Sequence, residues 1–575
     1  MPFSAEVLED GKTRFVLWAP AAASVDLVLE EDTIPMSREE NGTFSLTTEA
    51  GSGTRYRFRI DGEQEVPDPA SRSQPDDVHG ASEVVDPGTF VWQDEHWEGR
   101  PWEEVVLYEL HVGTFTPEGT FAGVKEKLDY LVDLGVTAIE VMPLSEFPGR
   151  RNWGYDGVLP FAPESAYGTP EDLKDLVQTA HDKGLIVFLD VVYNHFGPEG
   201  NYLSLYASEF FTDRHETPWG AAINFDGVGS DRVREYFVHN ALYWLEEYNF
   251  DGLRLDAVHA INDSSERHFL TELAERVREG PERHRHVHLV LENDAKEAGY
   301  LRGPYDAQWN DDLHHALHVV LTGESAGYYA DYADEPVRNL GKALAEGFVY
   351  GKEPDAELPP GAFVSFVQNH DQVGNRAFGA RIGQLAPPGA VRAAAEIYLL
   401  APQTPMLFMG EEWNAASPFP FFCDFGQDLA PLVAKGRREE FAGFFEGEDI
   451  GSIPDPSAEE TFHEGKLDWA SLDEPEHAEH LELYRGLLAL RWEQIVPRLG
   501  DVPGGEVSYQ TVGDRGLHVR WKLGDGSLLT LQTNLGPEPL AGVDGPSGRR
   551  LYASEGVTGE GRELPGWSVL WYLAG

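Results

Sequence analysis

The 575-residue chain is predicted to form an α/β barrel of eight strand–helix units, with an all-β unit at each end. Three observations carry that expectation. From about residue 105 onward, short apolar runs alternate with amphipathic segments of helical period, as parallel strands joined by helical crossovers do. About eight such units fit into roughly 300 residues, the size of a TIM barrel with insertions. The competing architecture, an open doubly wound sheet, usually carries a Gly-rich phosphate turn after its first strand, and neither GxGxxG nor GxxxxGK(S/T) occurs here.

The elements follow in order. TRFVLWAP, SVDLVLEE, GTFSLTTE and TRYRFRIDG are short, rich in β-branched and aromatic residues, and separated by Gly, Asp and Asn turns. They predict an N-terminal β-sandwich over residues 1–95. The stretch VPDPASRSQPDDVHGASEVVDPG has no period and reads as a loop-rich connection. The barrel is expected over 96–494. Its strands are VVLYELHV, AIEVMPL, IVFLDVV, DGLRLDAV, HVHLVLEN, DAQW, FVSFVQN and PMLFMG. Helices lie between them: FAGVKEKLDYLVDLG ending at Gly135, EDLKDLVQTAHDKG with Thr169 as N-cap, Pro170 in its first turn and Gly184 as C-cap, REYFVHNALYWLEEY, and ERHFLTELAERVRE. The aperiodic segment at about 196–230 predicts a functional insertion. HLELYRGLLALRWEQ closes the barrel, and VSYQTV, LHVRWKL, SLLTLQTNL and SVLWYLA predict a C-terminal β-sandwich over 495–575.

Composition excludes several functions. Lys and Arg number 44 against 99 Asp and Glu, a formal net charge of −55. A protein that coats nucleic acid or an anionic membrane needs basic patches, so both partners are unexpected, as is a polyanionic substrate. One cysteine, Cys423, excludes an intramolecular disulfide and a multi-cysteine metal site. MPFSAEVLEDGKT lacks the basic and apolar regions of a signal peptide, and no run of 18 apolar residues occurs, so a cytoplasmic location is expected.

In such barrels, chemistry sits at the C-terminal strand ends. Strand three ends with Asp190, Asn194 and His195, and strand four with Arg254, Asp256 and His259. Strand five ends with Glu292 and Asp294, and strand seven with Asn369, His370 and Asp371. Any one such carboxylate is more often a cap or an ion-pair partner, but polar clusters at four strand ends exceed what capping needs. Arg254 and Asp256 are two residues apart and share a strand face, so the arginine favours an ionised, nucleophilic Asp256. Glu292 follows an apolar strand, where partial burial and a neighbouring carboxylate raise its pKa toward that of a general acid. Two carboxyls with separated pKa values suit glycoside hydrolysis, and a separation of about 5–5.5 Å would make it retaining.

DVVYNH, GLRLDAVH, the Glu of LVLEND and FVQNHD resemble, in order and spacing, the four conserved regions of the α-amylase superfamily, glycoside hydrolase family 13. The resemblance implies that Asp256 is the nucleophile, Glu292 the general acid/base and Asp371 the transition-state stabiliser. It places Arg254, His195, His370 and Tyr155 at the reacting sugar, and makes Asp190 and Asn194 architectural. Within the superfamily, FPGRRNWGYDGVLPFAPESAYG, FFTDRHETPWGAAINFDG, QWNDDLHHALH, NHDQVGNRAFG and APQTPMLFMGEEW look closest to the maltooligosyltrehalose trehalohydrolases. That likeness implies a maltooligosyltrehalose substrate, a trehalose product and a maltooligosyltrehalose synthase as pathway partner. It adds Asn310, Asp311, Asp312 and His314 after the sixth strand, and Gln372 and Asn375 beside Asp371, as substrate contacts. His259-Ala260 stands where typical α-amylases have Lys-His, so that +1 contact differs. Trp219 in the insertion is expected either to stack on the +1 glucose or to pack a small insertion core. Trp413 is expected to pack beneath the last loops. No metal or cofactor is expected: Asp190, Asn194 and His195 could pass for ligands, but no oxygen cage is visible. The alternatives are a glucan branching transferase, which resolves the same intermediate with a sugar hydroxyl, and a non-catalytic glucan-binding protein.

Overall fold

A computed structural model describes residues 3–30, 32–94, 96–217, 219–351, 357–441, 450–541, 547–558 and 563–575. Its centre is a closed barrel of eight parallel strands in chain order. These are β1 (Leu107–Leu110), β2 (Ala138–Val141), β3 (Ile186–Val191), β4 (Gly252–Leu255), β5 (His288–Leu291), β6 (Ala307–Trp309), β7 (Phe363–Ser365) and β8 (Thr404–Phe408). All eight coincide with predicted strands. Each is buried along its whole length, because helices cover the outside and side chains fill the inside.

The interior is layered. Leu107, Ala138, Ile186, Phe188, Val290, Ala307, Val364 and Met406 form an apolar layer, with Trp102 packed against it. Strand alternation sends the residues two positions further on into the same interior, one layer higher. Those residues are Glu109, Glu140, Asp190 and Glu292, with Arg254 and Trp309 on the strands between. A polar layer thus lies on an apolar floor. Gly252 is required in that floor: a Cβ there would stand 2.2 Å from the Phe188 ring.

The helix Pro170–Asp182 begins as its sequence dictates. Thr169 Oγ1 accepts from Asp172 N, the Asp172 carboxylate accepts from Thr169 N, and Pro170 holds the first turn. The predicted helix at 121–134 is two helices, Phe121–Glu126 and Leu128–Leu134, broken at Lys127 and terminated by Gly135 at φ 101°. The insertion is more regular than its sequence suggests. It holds a short helix, Leu203–Tyr206, and a two-stranded ribbon of Phe211–Thr217 with Gly220–Ile223.

The N-terminal unit has two antiparallel sheets, one built on Thr13–Trp18 and Thr43–Thr48, the other on Val25–Leu29 and Arg55–Ile60. Phe15, Leu17, Leu27, Tyr56 and Phe58 form the core between them. The C-terminal unit is a five-stranded antiparallel sheet, Val507–Val512, Gly516–Lys522, Leu528–Asn534, Ser568–Ala574 and Arg549–Ala553, with a separate two-stranded ribbon. Trp521 and Trp571 are buried and donate from their indoles to Leu344 O and Glu396 O, which ties this sheet to the barrel's helices.

Beneath the barrel floor lies a buried ion cluster. The Asp251 carboxylate accepts from His181 Nε2 at 2.9 Å, Arg285 Nη1 at 2.9 Å, Trp97 Nε1 at 2.8 Å and Val187 N at 2.9 Å. His181 Nδ1 donates to Asp94 at 2.7 Å. Both ring nitrogens therefore face carboxylates. Burial opposes the imidazolium, but Asp251 and Asp94 outweigh it and hold His181 above its ordinary value. Burial likewise opposes the Asp251 carboxylate, but His181 and Arg285 hold it below its ordinary value.

Candidate active site

At the opposite end of the barrel, one guanidinium organises the carboxylates. Arg254 projects from β4 with its guanidinium 3.9 Å from the centre of the Trp309 ring. Its Nη1 donates to Asp190 Oδ2 at 2.6 Å and to Asp256 Oδ1 at 2.9 Å, and its Nη2 donates to Glu292 Oε2 at 2.7 Å. Asp256 also accepts from Asn194 Nδ2 at 2.8 Å. Glu292 accepts from Ala257 N at 2.8 Å. That last bond needs Ala257 at φ 40°, ψ 49°, a left-handed conformation costly for a non-glycine residue and held by its surroundings.

Burial pushes Glu292 above its ordinary value, with Arg254 opposing and Asp256 adding to the rise. Burial raises Asp256 too, against Arg254, whose guanidinium and the Asn194 amide both donate to its carboxylate. Asp256 Oδ1 and Glu292 Oε2 both accept from the Arg254 guanidinium, which holds the two acids side by side.

Asp371 comes from the other side. Asn369 caps the short helix His370–Gly374 through Asp371 N at 2.9 Å and Gln372 N at 3.2 Å. Asn375 Nδ2 donates to Asp371 Oδ1 at 2.5 Å. Burial raises Asp371, His370 opposes, and Glu292 adds to the rise. His370 Nδ1 meets Glu109 Oε1 at 2.5 Å, and its ring stacks on Tyr155 with centroids 5.1 Å apart. Tyr155 OH donates to Asp190 Oδ2 at 2.6 Å. His195 pairs with Asn194 and bonds Tyr155 O at 3.0 Å. Asp190 and Asn194 thus make their contacts with other residues of the cluster, Asp190 with Arg254 and Tyr155, Asn194 with Asp256 and His195.

The insertion reaches this cluster. Trp219, at the ribbon tip and 46% exposed, stacks on the His195 ring at 5.1 Å and 14°. Its ring lies on a neighbouring site residue rather than in a core of the insertion. His259 is exposed, and its Nδ1 accepts from Asp294 N at 3.3 Å. Gln372 Nε2 donates to Asp311 Oδ1 at 3.5 Å, and burial raises Asp311 well above the usual carboxylate range.

Three expected substrate contacts are engaged within the protein itself. Asp312 is buried and saturated: Lys296 Nζ and Tyr332 OH donate to Oδ1, and Val349 N and Tyr350 N to Oδ2. Both His314 ring nitrogens are occupied, by Val367 O at 2.6 Å and Tyr329 OH at 3.2 Å. Asn310 is buried; its carbonyl caps the helix Asp311–Thr322, while its amide Nδ2 has no partner among the described residues. Trp413 is fully buried and Cys423 is a buried free thiol. Two site residues were missed, Glu109 and Glu140. The signal was present in each case: a lone glutamate inside an apolar strand, in phase with inward-facing neighbours.

Among the described residues, one group of potential metal ligands lies close together: Glu474, Glu476 and His477, within 4.8 Å of one another. It belongs to the start of the helix Pro475–Gln494, not to the barrel strands, and such surface acids are common without an ion.

Comparison with known proteins agrees with this arrangement. Family models match for carbohydrate-binding module 48, the isoamylase N-terminal domain, at residues 2–79, the α-amylase catalytic domain at 67–218, and a domain of unknown function, DUF3459, at 504–571. A malto-oligosyltrehalose trehalohydrolase of Deinococcus radiodurans is 46% identical over 84% of this chain and 82% of its own length. That of Mycobacterium tuberculosis is 39% identical over 92% and 93%. A crystal structure from Salmonella typhimurium, assigned provisionally to the alpha amylases, superposes with a TM-score of 0.95 at 43% identity, covering 100% of this chain and 99% of that one. A branching enzyme of Aliivibrio fischeri matches only 44% of this chain and 39% of its own, at 34% identity. The chain therefore belongs to the malto-oligosyltrehalose trehalohydrolases, glycoside hydrolases of the α-amylase superfamily.

Proposed function

We propose that this protein is a retaining hydrolase that cleaves the α-1,4 bond joining a maltooligosaccharide to a terminal trehalose. The observation that carries the reading is the single guanidinium of Arg254 held between Asp256 and Glu292. Two acids this close suit a direct attack on the anomeric carbon, whereas an inverting pair stands about 6.5–9.5 Å apart to admit a water. Asp256 attacks the anomeric carbon as Glu292 protonates the glycosidic oxygen, and trehalose leaves. Glu292, now a base, deprotonates a water that opens the glycosyl ester and releases the oligosaccharide with its configuration retained. Asp371, held by Asn375, binds hydroxyls of the reacting sugar and stabilises the oxocarbenium-like charge. Tyr155, His195, His370, Gln372 and Asp311 line the reacting sugar's site, and Trp219 and His259 take the leaving disaccharide.

The trehalose product implies that an enzyme of the synthase type makes the substrate from a plain maltooligosaccharide. A cytoplasmic setting suits the single free thiol, and no helix among the described residues is long and apolar enough to cross a membrane. The domain limits belong to the same proposal: an N-terminal unit to about residue 95, the barrel to about 494, and a C-terminal unit from about 495. The test is product analysis with maltooligosyltrehalose beside a plain maltooligosaccharide of equal length. Free trehalose, with the retained α configuration at the new reducing end of the released oligosaccharide, supports the reading. A changed iodine stain of amylose without new reducing ends would replace it with branching.

A further inference from the structure

Glu140 has no part in the chemistry above, yet it stands directly under it. It is 1% exposed and pairs in register with Glu109 on the neighbouring strand. Both carboxyl oxygens are buried and without a hydrogen-bond partner among the described residues. The same layer holds three more such atoms: Asp190 Oδ1, Arg254 Nε and Trp309 Nε1.

The charged groups around Glu140 are Glu109 from β1, Asp190 from β3 and Arg254 from β4. Arg254 already serves three carboxylates through Nη1 and Nη2, and His370, on the loop after β7, is committed to Glu109. Among the described residues facing Glu140, the one cation, Arg254, is already shared by three carboxylates. An unpaired buried carboxylate between Glu109 and Asp190 is far costlier than a protonated one. Burial, then Glu109, pushes Glu140 well above the usual carboxylate range, with Arg254 opposing. A protonated carboxyl carries one donor, and Asp190 Oδ1 is the unserved acceptor of the same layer. Internal water bridges groups of this kind when it finds two to four polar partners.

We propose that Glu140 is a positioning residue: it remains a neutral carboxylic acid and, relayed by internal water, donates toward Asp190 Oδ1, so that Asp190 and Arg254 hold Asp256 and Glu292 in register. The catalytic part rests on the reading of Asp256 and Glu292 above; the protonation part does not.

The experiment compares the intact enzyme with Glu140→Gln and Glu140→Leu. Infrared difference spectra of the resting proteins at pH 8, without substrate, should show a protonated-carboxyl C=O band in the wild type that Glu140→Gln lacks. Leucine removes the donor, so Glu140→Leu should lower kcat about tenfold with KM unchanged. Glutamine keeps a neutral donor, so Glu140→Gln should restore most of kcat and leave both limbs of the pH–rate profile in place. Absence of the band, or a downward shift of both limbs in Glu140→Gln, would show that an anion had been removed and would overturn the neutral acid. Equal kcat in the leucine and glutamine variants would overturn the positioning role. Should Glu140→Leu fail to fold, the band and limbs of Glu140→Gln still decide protonation, and a Glu140→Gln kcat well below wild type would decide against positioning. A protein that released no trehalose would still give or lack the band, so failure of the functional reading is distinguishable.

Discussion

Two buried charge clusters of the barrel, among the described residues, lie at opposite ends and are balanced differently. Below the floor, two acids, Asp94 and Asp251, face two cations, His181 and Arg285, and Asp251 is held below its ordinary value while His181 is held above. At the open end, Arg254 alone serves Asp190, Asp256 and Glu292, and burial raises all three. A balanced cluster, each acid matched by a cation, clamps elements together. A cluster with surplus acid keeps carboxyls near the point of exchange, which acid–base chemistry needs. The difference separates a structural ion network from a catalytic one without reference to which residues are more buried.

The comparison can be broken most sharply at the open end. Asp256→Ala should cut trehalose release by at least about 10⁴-fold, with a cooperative melt close to wild type. Near-normal turnover in that variant would remove Asp256 from the chemistry. Arg254→Lys should lower kcat by about 10²–10³-fold, because an ammonium lacks the planar fork that reaches two carboxylates at once. A change confined to KM would instead make the arginine a binding group.

At the floor the same kind of change should read as stability. Asp251→Asn leaves His181 and Arg285 undercompensated and should cost about 3–5 kcal/mol in chemical unfolding, with kcat kept below the transition. The pH dependence follows from the directions of the shifts. His181 is raised above 6.5, so its contribution is full below about 6.5 and is lost as the pH rises through the higher folded value. Asp251 is lowered below 3.8, so its contribution is present above that value and is lost as the pH falls through the folded one. Wild-type unfolding free energy should therefore decline, as the pH rises above about 6.5, more steeply than that of Asp251→Asn; parallel curves would detach His181 from the clamp.

The smallest expected effect concerns the surface. The net charge of −55 resides mostly outside both clusters, on stretches such as Glu171-Asp172 and Glu246-Glu247. Added salt screens that repulsion but reaches buried pairs less, so the melting temperature should rise by a few degrees from low to high ionic strength while kcat stays nearly constant. A flat or falling melting temperature would show that the surface charges do not repel appreciably.

The legible parts of the molecule share a local cause. A buried barrel strand must be an apolar run, and its C-terminal end must turn polar where it leaves the core, so all eight strands and the Asp256, Glu292 and Asp371 positions stand out along the chain. The ribbon Phe211–Ile223 did not, because it pairs only with itself and its outward residues, Asp213 and Arg214 among them, interrupt the alternation. Asn310, Asp312 and His314 carry the opposite ambiguity. They follow a barrel strand as substrate contacts would, but Tyr332 and Val349, which occupy Asp312, arrive from 20 and 37 residues away.

By itself, then, the sequence determined the alternation of strands and helices, the flanking β units, and which acids stand at strand ends. Periodicity and end polarity are properties of neighbours in the chain. Only the tertiary structure decided which of those acids share a cation, that Glu109 and Glu140 lie among them, and that Trp219 reaches back to His195. A carboxyl's protonation depends on the charges and solvent within a few ångströms of it, and in a closed barrel those come from eight strands spread over three hundred residues.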